Sequence, residues 1–162
     1  MNKTILSGRK AVYVSLLVLC ISVCACKVQL VSAYDDKIHT QITTTTTDID
    51  SFYTVMIASS APGSAARSYT NYSIGYANIE VELRTLYNIN FTRAKNARQD
   101  SICKIALNQW IKYEDMHKTS DKLNDVQIKI NRGIMLAQMQ AMEIAERVKT
   151  LGESQTNTTT NP

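Results

Sequence analysis

Residues 126–151 read VQIKINRGIMLAQMQAMEIAERVKTL and carry the most regular hydrophobic pattern in the chain. Apolar residues recur there at steps of four, three, four, three and four: Ile130, Ile134, Ala137, Ala141, Ile144 and Val148. This spacing places them on one side of an α-helix and does not fit the alternation of a β-strand. We therefore predict a helix whose isoleucine stripe faces the core. Gly152 follows in the usual position of a C-terminal cap and is expected to end the helix.

Three segments upstream show the same helical period. The first spans residues 35–59, the second spans residues 69–95, and the third begins at a cap formed by Asp100 or Ser101. Their predicted core positions are Ile38, Ile42, Thr45, Ile49, Phe52 and Met56, then Tyr72, Tyr76, Ile79, Leu83, Leu86 and Ala94, then Ile102, Ala106, Gln109, Tyr113 and Met116, with Trp110 beside the third stripe. The β-branched threonines at 43–47 favour a strand locally, but the stripe continues on both sides of them and predicts a helix.

The links between these segments are short and polar. Residues 60–64 contain the Pro62-Gly63 dipeptide and form the clearest break, followed by links at 96–99 and 118–125. Short links make consecutive helices run in opposite directions. The sequence therefore predicts an all-α fold, an antiparallel up-down four-helix bundle over residues 34–151. The Thr- and Asn-rich tail, 152–162, is predicted to be disordered.

The positive charge of the chain is concentrated at its N-terminus. The chain has 162 residues and a formal net charge of +4. Three of its 18 basic residues, Lys3, Arg9 and Lys10, precede residue 26, and no acidic residue does. The other 15 basic and 14 acidic residues leave a net charge of +1. This balance argues against a basic nucleic-acid-binding face, so no nucleic-acid partner is predicted.

The uncharged segment after these basic residues has the form of a secretory signal peptide. Residues 11–26 read AVYVSLLVLCISVCAC. As a helix they span about 24 Å, which is less than the roughly 30 Å hydrocarbon core of a bilayer. A permanent transmembrane helix is therefore the weaker interpretation.

Two cleavage sites compete at the end of this segment. Residues 23–26, Val-Cys-Ala-Cys, resemble a bacterial lipobox, in which cleavage after Ala25 exposes Cys26 for acylation, for example with palmitate. Residues 31–33, Val-Ser-Ala, resemble an ordinary signal-peptidase site with cleavage after Ala33. We prefer the lipobox, which makes residues 1–25 the signal peptide and residues 26–33 a tether. Two or more acyl chains on Cys26 would anchor the protein stably to a membrane.

Neither cleavage leaves the mature monomer a pair of free thiols to oxidise, so no disulfide is predicted. Cys103 stands in an apolar-periodic stretch without a neighbouring histidine, and we predict that it is a buried apolar residue. Three methionines of the fourth segment lie off its isoleucine stripe and are expected to widen the buried face, although a partner groove is the alternative: Met135, Met139 and Met142.

Glu114 and His117 are weak candidates for metal ligands. Their Glu-x-x-His spacing places both on one helix face, as in ferritin-like di-iron bundles, which contain two such motifs. The second motif is missing here. We therefore prefer a solvated end of the third helix, with His117 near the negative end of the helix dipole. No catalytic residue and no cofactor are predicted.

The stretch 28–38, VQLVSAYDDKI, resembles a family of small uncharacterised Gram-negative lipoproteins. Shorter similarities continue along the chain at Phe52-Tyr53, Leu86, Arg93-Ala94, Leu107, His117, Glu146 and Lys149. The third segment departs from that pattern, because Gln109 and Trp110 stand where a Leu-x-x-Leu spacing is expected. The resemblance implies an envelope lipoprotein with a helical domain, and it implies no particular activity.

Together these observations predict a non-enzymatic lipoprotein of the bacterial cell envelope. We expect an anchor in the outer membrane through acylated Cys26, since Lys27 and not Asp follows it, and a structural or binding role toward an envelope protein in the periplasm. An unanchored secreted or periplasmic binding module, cleaved after Ala33, is the first alternative. A ferritin-like metal-dependent enzyme and a single-pass membrane protein are more remote. The sequence does not predict an oligomeric state.

Overall fold

Four α-helices in up-down order make up most of the structure. A computed structural model describes residues 31–157, with side chains from residue 31 to residue 151. The helices are α1 (Asp36–Ala58), α2 (Ser73–Thr92), α3 (Ala97–Ser120) and α4 (Asp125–Asn157). Consecutive helices contact each other and α1 also contacts α4, so the helices close a ring around one core. The predicted antiparallel four-helix bundle is confirmed, and residues 31–157 contain no β-strand.

Several predictions fall on residues outside this range. The signal peptide, Ala25, Cys26 and most of the tether precede residue 31, and the last five residues follow residue 157. None of the helices within residues 31–157 combines the length and the apolar character required to cross a membrane.

The helix ends follow local chemistry. Asp35 caps α1, because its carboxylate accepts hydrogen bonds from the backbone N–H groups of Lys37 at 2.9 Å and Ile38 at 3.4 Å. Asp121 ends α3 in the left-handed conformation, with φ of 58°. The predicted cap of α3 at Asp100 or Ser101 was wrong. The helix begins at Ala97 and so includes most of the link predicted at residues 96–99.

The phase of α1 agrees with the prediction. Its buried residues are Ile38, Ile42, Thr45, Ile49, Tyr53 and Met56. Phe52 is half-buried and packs against this core, and its neighbour Tyr53 takes the fully buried position. The threonine run is helical throughout, so the stripe predicted the element correctly.

In α2 the core residues Tyr76, Ile79, Leu83 and Leu86 are confirmed. A short 3-10 turn, Tyr69–Asn71, replaces the predicted first turn of the helix, and another, Ala65–Arg67, precedes it. Tyr72 is half-buried just before α2. The helix ends at Thr92 because Arg93 is extended, with φ of −82° and ψ of 125°. Ala94 is therefore exposed, and its predicted core position was wrong.

The buried face of α3 is rotated from the prediction. Its members are Gln99, Cys103, Ala106, Leu107, Trp110, Tyr113 and His117. Ile102 and Gln109 are only half-buried, and Met116 is exposed. The rotation brings Trp110 to the centre of the bundle, where its indole N–H donates to the carbonyl of Tyr76 at 3.0 Å.

The isoleucine stripe of α4 faces away from the core, which contradicts the prediction. All six of its residues are exposed: Ile130, Ile134, Ala137, Ala141, Ile144 and Val148. The buried face consists of Ile128, Asn131, Met135, Met139, Met142, Glu146 and Lys149. The two faces share one helical period, so the period cannot choose between them. The methionines fill the core, and Glu146 is bound by Arg93, just after α2, and by the Asp35 N–H before α1.

α4 also extends beyond its predicted end. The helix passes through Gly152 and ends at Asn157, so Gly152 is not a cap and the tail predicted from residue 152 begins as helix. A glycine in a helix costs about 1 kcal/mol relative to alanine, which is too little to end it without further contacts.

Candidate functional site

Glu146 is the centre of a buried polar cluster at one end of the bundle. Its carboxylate is completely buried and lies 3.2 Å from the guanidinium of Arg93 and beside the ammonium of Lys149. The side-chain oxygen of Asn96 accepts a hydrogen bond from Lys149 Nζ at 2.9 Å. We refer to Arg93, Asn96, Glu146 and Lys149 as the Glu146 cluster. It joins the ends of α2 and α4 to the start of α3.

The Glu146 cluster also holds the segment that leads into α1. The contacts run from the Asp35 N–H to Glu146 at 2.9 Å, from Ser32 Oγ to Asn96 Oδ1 at 2.8 Å, and from the Arg93 guanidinium to the Ala33 carbonyl. Residues 32–35 are therefore attached to three helices before α1 begins. Ala33, the alternative cleavage site, lies within this attached segment.

The charges in the cluster are satisfied by hydrogen bonds. Both oxygens of Glu146 accept hydrogen bonds, which come from Arg93, Lys149 and the Asp35 N–H. Burial lowers the pKa of Lys149, and the hydrogen bond to Glu146 opposes part of that shift. A general base needs an oxygen that can reach a substrate proton. Glu146 is instead placed to hold two cations and a backbone amide.

Sequence reasoning did not identify this cluster as a site, although Arg93, Glu146 and Lys149 are among the positions where the chain resembles the lipoprotein family. Glu146 and Lys149 are three residues apart, and such a pair is typical of a solvated helix surface. Their partners lie 53 residues and more away in the chain. Only the rotation of α4 in the bundle reveals that the pair is buried.

Glu114 and His117 have separate partners at the other end of the bundle. Glu114 accepts a hydrogen bond from the hydroxyl of Tyr69 at 2.7 Å. His117 is completely buried, with Nε2 at 2.8 Å from the carbonyl of Arg67 and Nδ1 at 3.3 Å from the hydroxyl of Tyr76. A carbonyl only accepts, so Nε2 carries the proton and Nδ1 of the neutral ring accepts from Tyr76.

The predicted solvated position of His117 was therefore wrong. Burial lowers its pKa, although the hydrogen bond to the Arg67 carbonyl and the charge of Asp121 oppose the shift. Both ring nitrogens are engaged within the core. In addition, the described part of the chain contains no group of three or more His, Cys, Asp and Glu side chains placed to hold a metal ion.

Cys103 is buried and its thiol is free, as predicted. Desolvation by burial raises its pKa to about 12, and the negative charge of Asp100 adds to the shift. The thiolate is the reactive form of cysteine, so this residue acts as an apolar part of the core.

An apolar surface runs along α4 and the adjacent side of α3. We refer to Ile130, Ile134, Ala137, Ala141, Ile144 and Val148 as the α4 stripe. Between α4 and α3 it forms a shallow depression of about 370 Å³, lined by Ile102, Ile105, Ile134, Ala137, Gln138 and Ala141. Continuous exposed apolar surface of this kind is typical of an interaction site. The sequence identified the residues of the stripe but placed them in the core.

Comparisons with protein families, curated proteins and solved structures returned no match to this chain. The described part of the chain is a four-helix bundle with a buried polar cluster beside residues 32–35 and an exposed apolar stripe on α4.

Proposed function

We propose that this chain is a lipoprotein of the bacterial envelope with a non-enzymatic binding role, anchored through acylated Cys26. The observation that carries the proposal is the attachment of residues 32–35 to the Glu146 cluster. Five residues, 27–31, separate Cys26 from Ser32. Fully extended, the chain from Cys26 to Ser32 spans at most about 22 Å. An anchor at Cys26 would therefore keep this end of the bundle near the membrane surface.

The same contacts favour cleavage before Cys26 over cleavage after Ala33. Cleavage after Ala33 removes Ser32 and Ala33, which bind Asn96 and Arg93. Asn96 and Arg93 would keep Lys149 and Glu146 as partners, so the loss is that of two hydrogen bonds, each about 0.5–1.5 kcal/mol. The new N-terminal ammonium group, on Tyr34, would also lie near the Arg93 guanidinium, and like charges repel.

The α4 stripe supports a binding role for the domain. The charged groups of the Glu146 cluster and the His117 ring are engaged with other residues of the bundle, whereas the isoleucines of the stripe remain 41–55% exposed. Its exposed isoleucines offer a surface to a protein of the envelope. We place the domain on the periplasmic side of the outer membrane, because Lys27 follows the acylated residue.

Intact mass spectrometry of the chain, expressed in a Gram-negative host and extracted from membranes, tests the anchor. The wild-type chain is expected to begin at Cys26 and to carry diacylglycerol. Cys26→Ala should lose both this mass and the membrane association. Cys24→Ala is the matched control and should behave as wild type, because Val23 precedes Cys24 where a lipobox needs a small residue. An unmodified chain beginning at Tyr34 would overturn the anchor and support the unanchored binding module.

A further inference from the structure

We propose that the α4 stripe is a self-association surface, on which α4 of a second copy of this chain packs in the antiparallel direction. The inference rests on the binding role proposed above and names the partner. It does not require acylation of Cys26, so the two proposals can fail separately.

The stripe has the properties of an unpaired helix–helix interface. Its larger side chains are 41–56% exposed, and Leu151 extends the same spacing with 63% exposure. Steps of four and three residues keep a seam on one side of a helix, as in coiled coils. From Ile130 to Leu151 the seam is about 32 Å long. The bundle buries the methionine side of α4 and leaves the α4 stripe exposed.

The order of side-chain sizes along the stripe points to a second copy as the partner. The residues are large, large, small, small, large and large in chain order: Ile130, Ile134, Ala137, Ala141, Ile144 and Val148. The spacings between these residues also read the same in both directions, with their midpoint at residue 139. A two-fold axis there places Ile130 opposite Val148, Ile134 opposite Ile144, and Ala137 opposite Ala141 of the second copy. A two-fold interface is made from the same patch on both copies, so a stripe whose size order matches on reversal brings its alanines together and lets the two helices approach closely at the midpoint.

The shape of the surface agrees with this arrangement. The two alanines at the midpoint open the depression between α3 and α4, with Ile102 and Ile105 on its far side. Ile105 is 56% exposed. The alanines of the two copies face each other at this depression, so their small side chains leave room for the two helices to approach closely there.

The residues that flank the midpoint of the stripe are uncharged: Gly133, Gln138 and Gln140. The cations beside the stripe lie toward its ends, with Lys129 and Arg147 on α4 and Lys95 and Arg98 near the start of α3. A neutral midpoint allows two copies to approach there without repulsion between like charges.

The size of the surface fits a reversible dimer. A seam about 32 Å long and two helices wide, or about 20 Å, covers on the order of 600 Å² per copy. Specific interfaces bury about 800 Å² per partner, and weaker ones bury less. We therefore expect association that depends on protein concentration in the micromolar range.

A cysteine at residue 140 tests the two-fold axis. Gln140 is exposed beside the midpoint of the stripe, so it should lie close to its counterpart in the second copy. Gln140→Cys in the full chain, treated with a short bis-maleimide reagent, should give at least about tenfold more cross-linked dimer than Val81→Cys. Val81 is 64% exposed on α2, which is not a neighbour of α4 in the ring. The chain without an added cysteine measures the background from its native thiols.

The direction of packing has its own test. Ile130→Cys and Val148→Cys chains, when mixed, should cross-link to each other more than either does to itself. Preferential cross-linking of each variant to itself would overturn the antiparallel arrangement.

Sedimentation of the purified mature chain provides the second measurement. Ile144→Glu should weaken self-association at least about tenfold, because it would bury a charge at the interface. Its helical content should not change, since Ile144 is exposed in the single copy. Val81→Glu is the matched control and should associate as wild type.

Several results would overturn the inference. The first is a wild-type chain that stays monomeric at about 100 μM, well above a micromolar Kd. The second is an association that Ile144→Glu leaves unchanged. The third is vesicle binding by a monomeric chain that Ile144→Glu abolishes. Association that persists in Cys26→Ala would support the dimer, whatever mass spectrometry shows about the anchor.

Discussion

Burial in the core favours the neutral form of the His117 ring. Its Nε2 proton is donated to the Arg67 carbonyl, and burial lowers its pKa below the ordinary value of 6.5. The unfolded chain therefore binds a proton at a higher pH than the folded chain does. The free energy of unfolding is expected to be greatest above about pH 6.5 and to fall as the pH drops below it.

Urea unfolding at about pH 7.5 and about pH 5 measures this effect. His117→Gln removes the titrating group and keeps an amide donor for the Arg67 carbonyl. The variant is expected to lose less stability than wild type on acidification. Equal losses in the two proteins would contradict a neutral, buried His117.

Glu146 is the residue on which the polar cluster depends. Glu146→Gln preserves the shape of the side chain but leaves Arg93 and Lys149 without a counter-charge in a buried site. Breaking a buried ion pair in this way costs about 3–5 kcal/mol, so we expect a loss of that order in the free energy of unfolding.

The matched control for this variant lies one turn away on the same helix. Glu143 is 38% exposed and pairs with exposed Arg147 at 3.4 Å. Glu143→Gln is expected to change the free energy of unfolding by less than about 1 kcal/mol. Similar small effects at both positions in urea unfolding would show that the cluster does not stabilise the fold.

At the scale of helices, two glycines have opposite surroundings. A Cβ atom at Gly75 would lie 2.8 Å from Cε2 of Phe52, whose ring is packed between other aromatic rings, whereas a Cβ at Gly133 meets nothing within 4 Å. Gly75→Ala is expected to lower the free energy of unfolding by about 1–3 kcal/mol. Gly133→Ala should raise it by up to about 1 kcal/mol, because alanine favours a helix. Thermal unfolding that shifts both variants in the same direction would contradict this packing of α1 against α2.

The threonines of α1 show how packing overrides local preference. The hydroxyls of Thr43, Thr46 and Thr47 donate to the carbonyl groups four residues earlier, and Thr45 is completely buried. These hydrogen bonds satisfy the polar groups inside a helix, although β-branched residues favour strands. The hydrophobic stripe on both sides of the run therefore predicted the element correctly.

At the scale of the whole molecule, Arg67 ties together the two loops at the end opposite the Glu146 cluster. Its guanidinium is 1% exposed and contacts the Ser60 carbonyl at 2.7 Å, the Leu123 carbonyl at 3.3 Å and the Asp125 carboxylate. Arg67→Met leaves these acceptors without their donor, and we expect a loss of about 2–4 kcal/mol in urea unfolding. Arg132→Met is the control, because Arg132 forms an exposed pair with Asp50 between α4 and α1 and should cost less than about 1 kcal/mol. An equal loss at both positions would contradict a special role for Arg67.

The sequence predicted the polar residues at the two ends of the bundle to different extents. The patterns at 23–26 and 31–33 predict two alternative cleavage sites, and the second lies in the segment where Ser32 and Ala33 contact Asn96 and Arg93. The Glu146 cluster was not predicted, because its members are distant in the chain and each resembles an ordinary surface residue. Glu114 and His117 had the right spacing for a metal site, yet their neighbours provide hydrogen bonds and not further ligands.

The sequence by itself determined the four helices between residues 36 and 157 and their alternating directions, because helical period and polar links are local properties of a chain. It also determined the buried face of α1, where a single apolar stripe exists. Only the tertiary structure decided which face of α4 is buried, since the isoleucine stripe and the methionine face have the same period. Glu146 can be buried only with Arg93 and the Asp35 N–H beside it, and residues so distant meet only when the bundle has closed.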